Sequence, residues 1–317
     1  MRWNLDRIGP CARGIAKVSG RLTSADWSCP ALVAAPPSWV ADLMSGADLE
    51  VEPGTDGCLT IRRRADWALV RVVVPQALAL SRLALERATR DAYRRVAAAV
   101  AALGQTPVRF WNFVPELNAP MDPQTDRYMA FNVGRYDACV AWLGAEDSFD
   151  RRLATASAVG VRIADLEVHC LTTTHRRDPV ENPRQVSAYH YSARYGRRPP
   201  CFARATKVHA GPTPLLLIGG TASIVGEESQ HPGDLIAQTH ETLDNISALV
   251  DNAAPVAQPL DLLRQLRVYL RHATSARDAG DIVRNRCRGV TRLECVEAQI
   301  CRRELLVEIE GTADLPR

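Results

Sequence analysis

The segment CLTIRRRADWALVRVVV (58–74) reads as two short β-strands around a turn at Arg64-Ala65-Asp66, because β-branched residues dominate the second run and Pro75 ends it. A helix-length stretch follows. From about 79 to 103, Ala92, Val96, Ala99, Val100 and Leu103 recur at helical spacing, with charged residues on the other faces and Gly104 as a stop. The pattern then predicts a strand over 107–114, bearing Arg109-Phe110-Trp111-Asn112-Phe113-Val114, and a second helix over 123–143 that starts after Pro123. The second half repeats this order. Strands are predicted at 165–174, around 201–208 and at 214–225, and a helix at 232–250 carries an inward stripe of Leu235, Ile236, Thr239, Leu243, Ile246, Leu249 and Val250. A strand over 262–270, a short helix over 275–286 and strands over 291–300 and 303–310 complete it. Two such rounds imply an α+β protein in which each half is a mixed β-sheet with helices packed on one face. The division is expected near 150–160, giving halves 1–155 and 156–317. Residues 176–200, interrupted by Pro179, Pro183, Gly196, Pro199 and Pro200, read as a long irregular loop, and such loops tend to be functional.

The 317-residue chain, 46% hydrophobic and 24% charged, can bury a real core, which sets aside extensive disorder. Its net charge of +3 comes from scattered basic residues, which argues against a nucleic-acid partner. Nearly every cation is Arg, with only Lys17 and Lys207 otherwise; this global bias is assigned to genome composition. Nine cysteines (11, 29, 58, 139, 170, 201, 287, 295 and 301) form no C-x-x-C pair and no zinc pattern, so a reducing compartment is expected. The stretch Met1–Arg7 lacks the apolar core of a signal peptide, and no segment reaches about 18 uninterrupted apolar residues. A soluble, cytoplasmic protein without membrane contact is the expectation.

Three segments could carry chemistry. YHYSARYGRRPPCFARA (189–205) places three tyrosines and several arginines in a loop that could hold an anionic ring by forks and stacking, or could simply be solvated. GGTASIVGEE (219–228) leaves a strand through small residues, either to admit a ligand close to the backbone or to mark a bulge; it is not a phosphate loop. In LLVEIE (305–310), period-2 alternation sets Leu305, Val307 and Ile309 against Leu306, Glu308 and Glu310. A strand carboxylate facing away from the core is ordinarily solvated, but one closed inside a pocket gains proton affinity and can act as an acid near neutral pH.

Together RFWNFVPELN (109–118), RYMAFNVGRYDA (127–138), YHYSARYGRRPPCFARA (189–205), GGTASIVGEES (219–229), QTHETLDNI (238–246) and CRRELLVEIEG (301–311) resemble the chorismatase family, in order from Arg109 to the C-terminus. Residues 1–105 carry no matched motif. The chain departs from the family pattern at Glu227 and His240, where many relatives have His and Arg, and at Ser192-Ala193 in place of Pro-Arg. The resemblance implies two RidA/YjgF-like (chorismate mutase-like) halves with the active site between them. It also implies cleavage of chorismate without a metal or organic cofactor, by protonation of the enolpyruvyl ether.

By resemblance, Glu308 is the acid, and Arg127, Arg135, Arg194 and Arg204 are candidates for the substrate carboxylates, with Arg271 and Arg284 as further arginines. Tyr189 and Tyr195 would orient the ring. Gly220 and Cys301 resemble the family members that aromatise the ring, so the expected products are pyruvate and 3-hydroxybenzoate, with 4-hydroxybenzoate as a further product. A free cysteine is more often a small buried hydrophobe, and that reading of Cys301 stays open. Alternatives are hydrolysis of chorismate to a trans-dihydroxycyclohexadiene carboxylate plus pyruvate, and a RidA-like imine deaminase or small-molecule binder. A monomer or small homo-oligomer is expected, and a secondary-metabolite route suits an aromatic acid of this kind.

Overall fold

The computed structural model describes residues 28–54, 57–144 and 146–316; Cys11 and the amino-terminal stretch read against a leader lie outside them. A short helix α1 (Ser38–Leu43) leads into β1 (Asp48–Gly54), β2 (Gly57–Arg64) and β3 (Trp67–Val74). β2 and β3 pair antiparallel and turn at Ala65, whose φ of 49° supplies the left-handed step of a tight hairpin. Helix α2 (Arg82–Leu103) closes on Gly104 in the left-handed conformation, and β4 (Thr106–Pro115) follows. The helix expected from residue 123 starts later. Residues Pro120–Asp122 (β5) and Thr125–Asp126 (β6) form a small hairpin, and α3 (Arg127–Leu143) begins where Asp126 accepts a hydrogen bond from the Met129 amide at 2.8 Å.

After α4 (Phe149–Arg152) come β7 (Thr155–Val161), which the sequence reading missed, and β8 (Leu166–Thr173). The first sheet has the order β1-β2-β3-β8-β4-β7, and only β4 and β7 run parallel. The chain therefore leaves the first sheet after Thr173, beyond the division expected at 155/156, because β7 and β8 return to pair with β4 and β3.

The second sheet repeats the plan. It comprises β9 (Arg177–Val180), β10 (Ala205–Val208), β11 (Leu215–Ala222), then, beyond the small hairpin of β12 (Ile224–Val225) and β13 (Glu228–Ser229) and helix α5 (Leu235–Ala253), β14 (Leu263–Leu270), helix α6 (Ala276–Arg286), β15 (Arg292–Glu297) and β16 (Val307–Asp314). Its order is β15-β14-β16-β11-β10-β9, with β14 and β15 as its parallel pair. The last strand is later than the expected 303–310, because residues 301–304 are a turn.

Each sheet is covered by helices on one face. Val70, Val72 and Val168 pack on α2 and α3 through Val96 and Phe131, while Ile218, Val268 and Ile309 pack on α5 and α6 through Ile246 and Val283. α2 and α3 approach so closely that a side chain at Gly134 would lie 2.2 Å from the Glu86 carbonyl. The other two sheet faces meet each other, with Trp111, Phe113, Val159 and Leu171 packed against Val208, Leu217 and Tyr269. The result is four layers, helix–sheet–sheet–helix. Among the described residues no helix is long and apolar enough to cross a membrane.

Candidate active site

A cavity of about 310 Å³ lies between the two halves. The first half supplies Tyr128 and Arg135 from α3 and Ala156, Ser157 and Ala158 from β7; the second supplies Gly220 and Ala222 from β11 and Glu308 from β16. The loops 191–204 and 301–304 cover it. Strand alternation explains the acid's place, since Val307 and Ile309 enter the core beneath α5 and α6 and so turn Glu308 to the opposite face.

Glu308 is 4% exposed, and no hydrogen bond among the described residues engages its carboxyl. Burial first, and the charge of Glu310 second, push its pKa up to about 8, against the opposing pull of Arg109 and Arg204. Space for it comes from Gly220. A Cβ there would sit 2.0 Å from Glu308 Oε1. The register of β11 against β16 also shifts between Ile218 and Thr221, so the glycine pair is a bulge as well as a close approach to the acid.

Three of the guanidinium groups that line the cavity with Glu308 are held in place by the protein. Arg135 donates to Asn132 Oδ1 at 2.7 Å and lies over the rings of Phe131 and Phe202; Arg204 donates to the Val186 carbonyl at 2.9 Å and the Tyr191 hydroxyl at 2.8 Å and lies over the rings of Tyr191 and the shared Phe202. Arg302 donates to the Glu227 carbonyl at 2.8 Å and Ser229 Oγ at 3.0 Å, and stacks 3.8 Å above Tyr195. Each keeps one buried nitrogen without a partner: Nε of Arg135, Nε of Arg204 and Nη2 of Arg302. Unpaired buried donors are costly, and an anionic guest would satisfy them. Cys301 lines the same space, and burial together with the Glu308 charge pushes its thiol up to about 12, so it stays protonated near neutral pH.

Glu308, Cys301, Arg135, Arg194, Tyr195, Arg204 and Gly220 all reach the cavity, although Arg194 is exposed at the mouth and donates to Glu228 at 2.6 Å. Arg127 and Tyr189 do not. The Arg127 guanidinium is spent on the carbonyls of Ala77 (2.6 Å), Pro115 (2.8 Å) and Leu78 (3.3 Å), while Tyr189 packs edge-on against Phe149 and His190. Arg271 is behind the wall, where it donates to the carbonyls of Arg302 (2.6 Å) and Leu305 (2.8 Å) and braces the covering turn; Arg284 sits on α6, off the wall. Glu227 accepts from the Ser192 amide at 2.8 Å and pins the loop, and His240 is exposed on α5.

Sequence reasoning overlooked Tyr128, Ser157, Tyr191, Arg302 and Arg303. Four of them stand inside quoted motifs beside residues that were chosen. Ser157 lies on the strand that went unread.

The family model described as chorismatase FkbO/Hyg5-like, N-terminal, matches residues 44–172. A 3-hydroxybenzoate synthase of Streptomyces hygroscopicus is 33% identical over 71% of this chain and 68% of its own length. A chorismatase of Streptomyces rapamycinicus is 30% identical over 64% of this chain and 62% of its own length. Among solved structures, a crystal structure of chorismatase superposes with a TM-score of 0.69 at 27% identity, covering 83% of this chain and 79% of the other. Sequence, fold and the cavity between the halves agree, and the chain belongs to the chorismatase family of enzymes.

Proposed function

We propose that the protein converts chorismate to 3-hydroxybenzoate and pyruvate, using side chains alone. The observation that carries this reading is the buried, partnerless carboxyl of Glu308, raised to about 8 beside arginines with unpaired nitrogens. Such a group is an acid at neutral pH, placed where a dianion is attracted.

In this reading Arg135, Arg204 and Arg302 hold the two substrate carboxylates. Glu308 delivers its proton to the methylene carbon of the enol ether, and an oxocarbenium ion forms on the pyruvyl fragment. The neighbouring ring hydroxyl oxygen then attacks the ring carbon that carries the ether. That carbon–oxygen bond breaks, pyruvate leaves with its electron pair as the carbonyl compound, and the hydroxyl proton returns to the Glu308 carboxylate. The arene oxide left behind opens and loses a ring proton to become hydroxybenzoate, so no water is consumed. Which of its carbon–oxygen bonds opens sets 3- against 4-hydroxybenzoate. A protonated Cys301 beside the ring is suited to steer that opening as a weak donor.

Incubation with chorismate alone, followed by mass analysis of every product, tests this. Equal amounts of pyruvate and 3-hydroxybenzoate are expected. A ring product heavier by one water replaces the reading with hydrolysis to the dihydroxycyclohexadiene carboxylate, and unchanged chorismate removes it altogether.

A further inference from the structure

Glu310 lies one strand repeat beyond Glu308 on the same face of β16, about 7 Å along the strand. Its surroundings are opposite in kind. The carboxylate is 1% exposed and takes four donors: the Arg109 guanidinium and the Ser157 hydroxyl at Oε2, and Trp111 Nε1 and the Tyr269 hydroxyl at Oε1, the last two at 2.9 Å. Four donors, one of them the cationic guanidinium of Arg109, converge on its two oxygens, the hydrogen-bonding pattern that suits a carboxylate. Ser157 does more than close this shell. While donating to Glu310 it accepts from Arg109 and, at 2.9 Å, from the amide of Gly220, the residue against which the Glu308 carboxyl rests.

We propose that Glu310 is a positioning residue for the acid: its fixed negative charge holds the transferable proton on Glu308, and Ser157 ties the same network to the backbone beside that carboxyl. This rests on the reading of Glu308 as proton donor. The charged and titratable groups around Glu308 and its cavity are Glu310 on its own strand, Arg109 from β4, Asp126, Tyr128 and Arg135 from α3 and its cap, Tyr191, Arg194, Tyr195 and Arg204 ahead of β10, and Cys301, Arg302, Arg303 and Glu304 from the covering turn. Of the anions other than Glu308 itself, Asp126 is half-buried, Glu304 is exposed and Glu310 alone is buried. Every cation in this set favours loss of the Glu308 proton. Glu310 is the buried anion that opposes them, and without it the cations that attract substrate would also strip the acid.

The test is the pH profile of kcat/KM for chorismate. In Glu310→Gln, removal of the anion leaves Arg109 uncompensated, and both changes lower the proton affinity of Glu308; the alkaline limb should move to lower pH by about one unit or more. Glu310→Asp keeps the charge and should restore the limb towards its wild-type position. If Glu310→Gln fails to fold, Arg109→Gln/Glu310→Gln removes the pair without stranding a cation, and a smaller shift in the same direction is expected. A folded Glu310→Gln or double variant with the wild-type limb overturns the proposal, as do equal shifts in Glu310→Gln and Glu310→Asp. Glu308→Gln separates the two readings: wild-type turnover there defeats the proton-donor assignment itself, whereas lost turnover with an unmoved limb in Glu310→Gln defeats only the role of Glu310.

Discussion

Strands β8 and β16 hold the same place in the two halves, each between the second strand of a hairpin and the strand that follows a long helix. Each carries a buried glutamate, yet the two behave as opposites. Glu167, 6% exposed, receives two hydrogen bonds of 2.7 Å from Arg71 and shares one of 2.8 Å with His169. Burial works to raise its pKa, but those partners outweigh it and hold the group at about 2. Glu308, 4% exposed and without partners, stands at about 8. Equal burial thus yields a permanent anion in one half and a usable acid in the other. Withholding partners makes the difference, and the unsatisfied carboxyl is a liability that a merely structural strand would not retain.

The sharpest way to break this contrast is Glu308→Gln, which should lower chorismate turnover by about 10²-fold or more in steady-state assays. Its counterpart, Glu167→Gln, should leave turnover near wild type and instead cost about 2–4 kcal/mol of stability at neutral pH by removing the buried carboxylate charge that Arg71 and His169 hydrogen-bond. Because Glu167 is depressed in the folded state, its contribution is fully present above the ordinary value of 4.5 and fades as pH falls towards about 2. Denaturant melts should therefore show the gap between wild type and Glu167→Gln closing in acid.

Glu308 has the reverse sign. Its folded pKa is raised, so it costs stability increasingly as pH climbs from 4.5 to about 8. Glu308→Gln should then be the more stable protein at pH 8, by about 4 kcal/mol, and show little difference at pH 4. Next in size is Arg135→Ala, with an expected rise in KM of about tenfold or more and a smaller change in kcat. Smallest in rate is Cys301→Ala, which should alter the ratio of ring products without abolishing turnover; an unchanged ratio makes the thiol a packing group only.

The repeat of strands and helices was legible because periodicity records burial, and burial organises both halves alike. What failed did so locally. β7 is buried on both faces, and in TASAVGV the alternation runs only over the small residues Thr155–Ala158 before breaking down, too short and too weakly apolar to mark it. The phase of α3 was set by Asp126 as its cap and not by Pro123, and phase decides which of two adjacent residues turns inward to the cavity. Tyr128 does so, while its neighbour Arg127 fastens the end of β4 to residues 77–78. Arg127→Ala is accordingly expected to loosen the fold and not to affect saturation by chorismate. Alternation alone placed the Glu308 side chain on the face of β16 away from Val307 and Ile309, but its lack of partners belongs to tertiary structure and no local pattern carries it.

Phe202 lies between Arg135 and Arg204, with the two guanidinium carbons 5.6 and 5.2 Å from its ring centre. A flat spacer of this kind keeps two like charges at a set separation, and a guest bearing anionic groups at both ends chelates them as one body. Scission of the ether would sever that tether. With Arg135 and Arg204 holding the two substrate carboxylates, as proposed above, each fragment then carries a single charge and departs independently, and that grip relaxes by itself once the bond is cut.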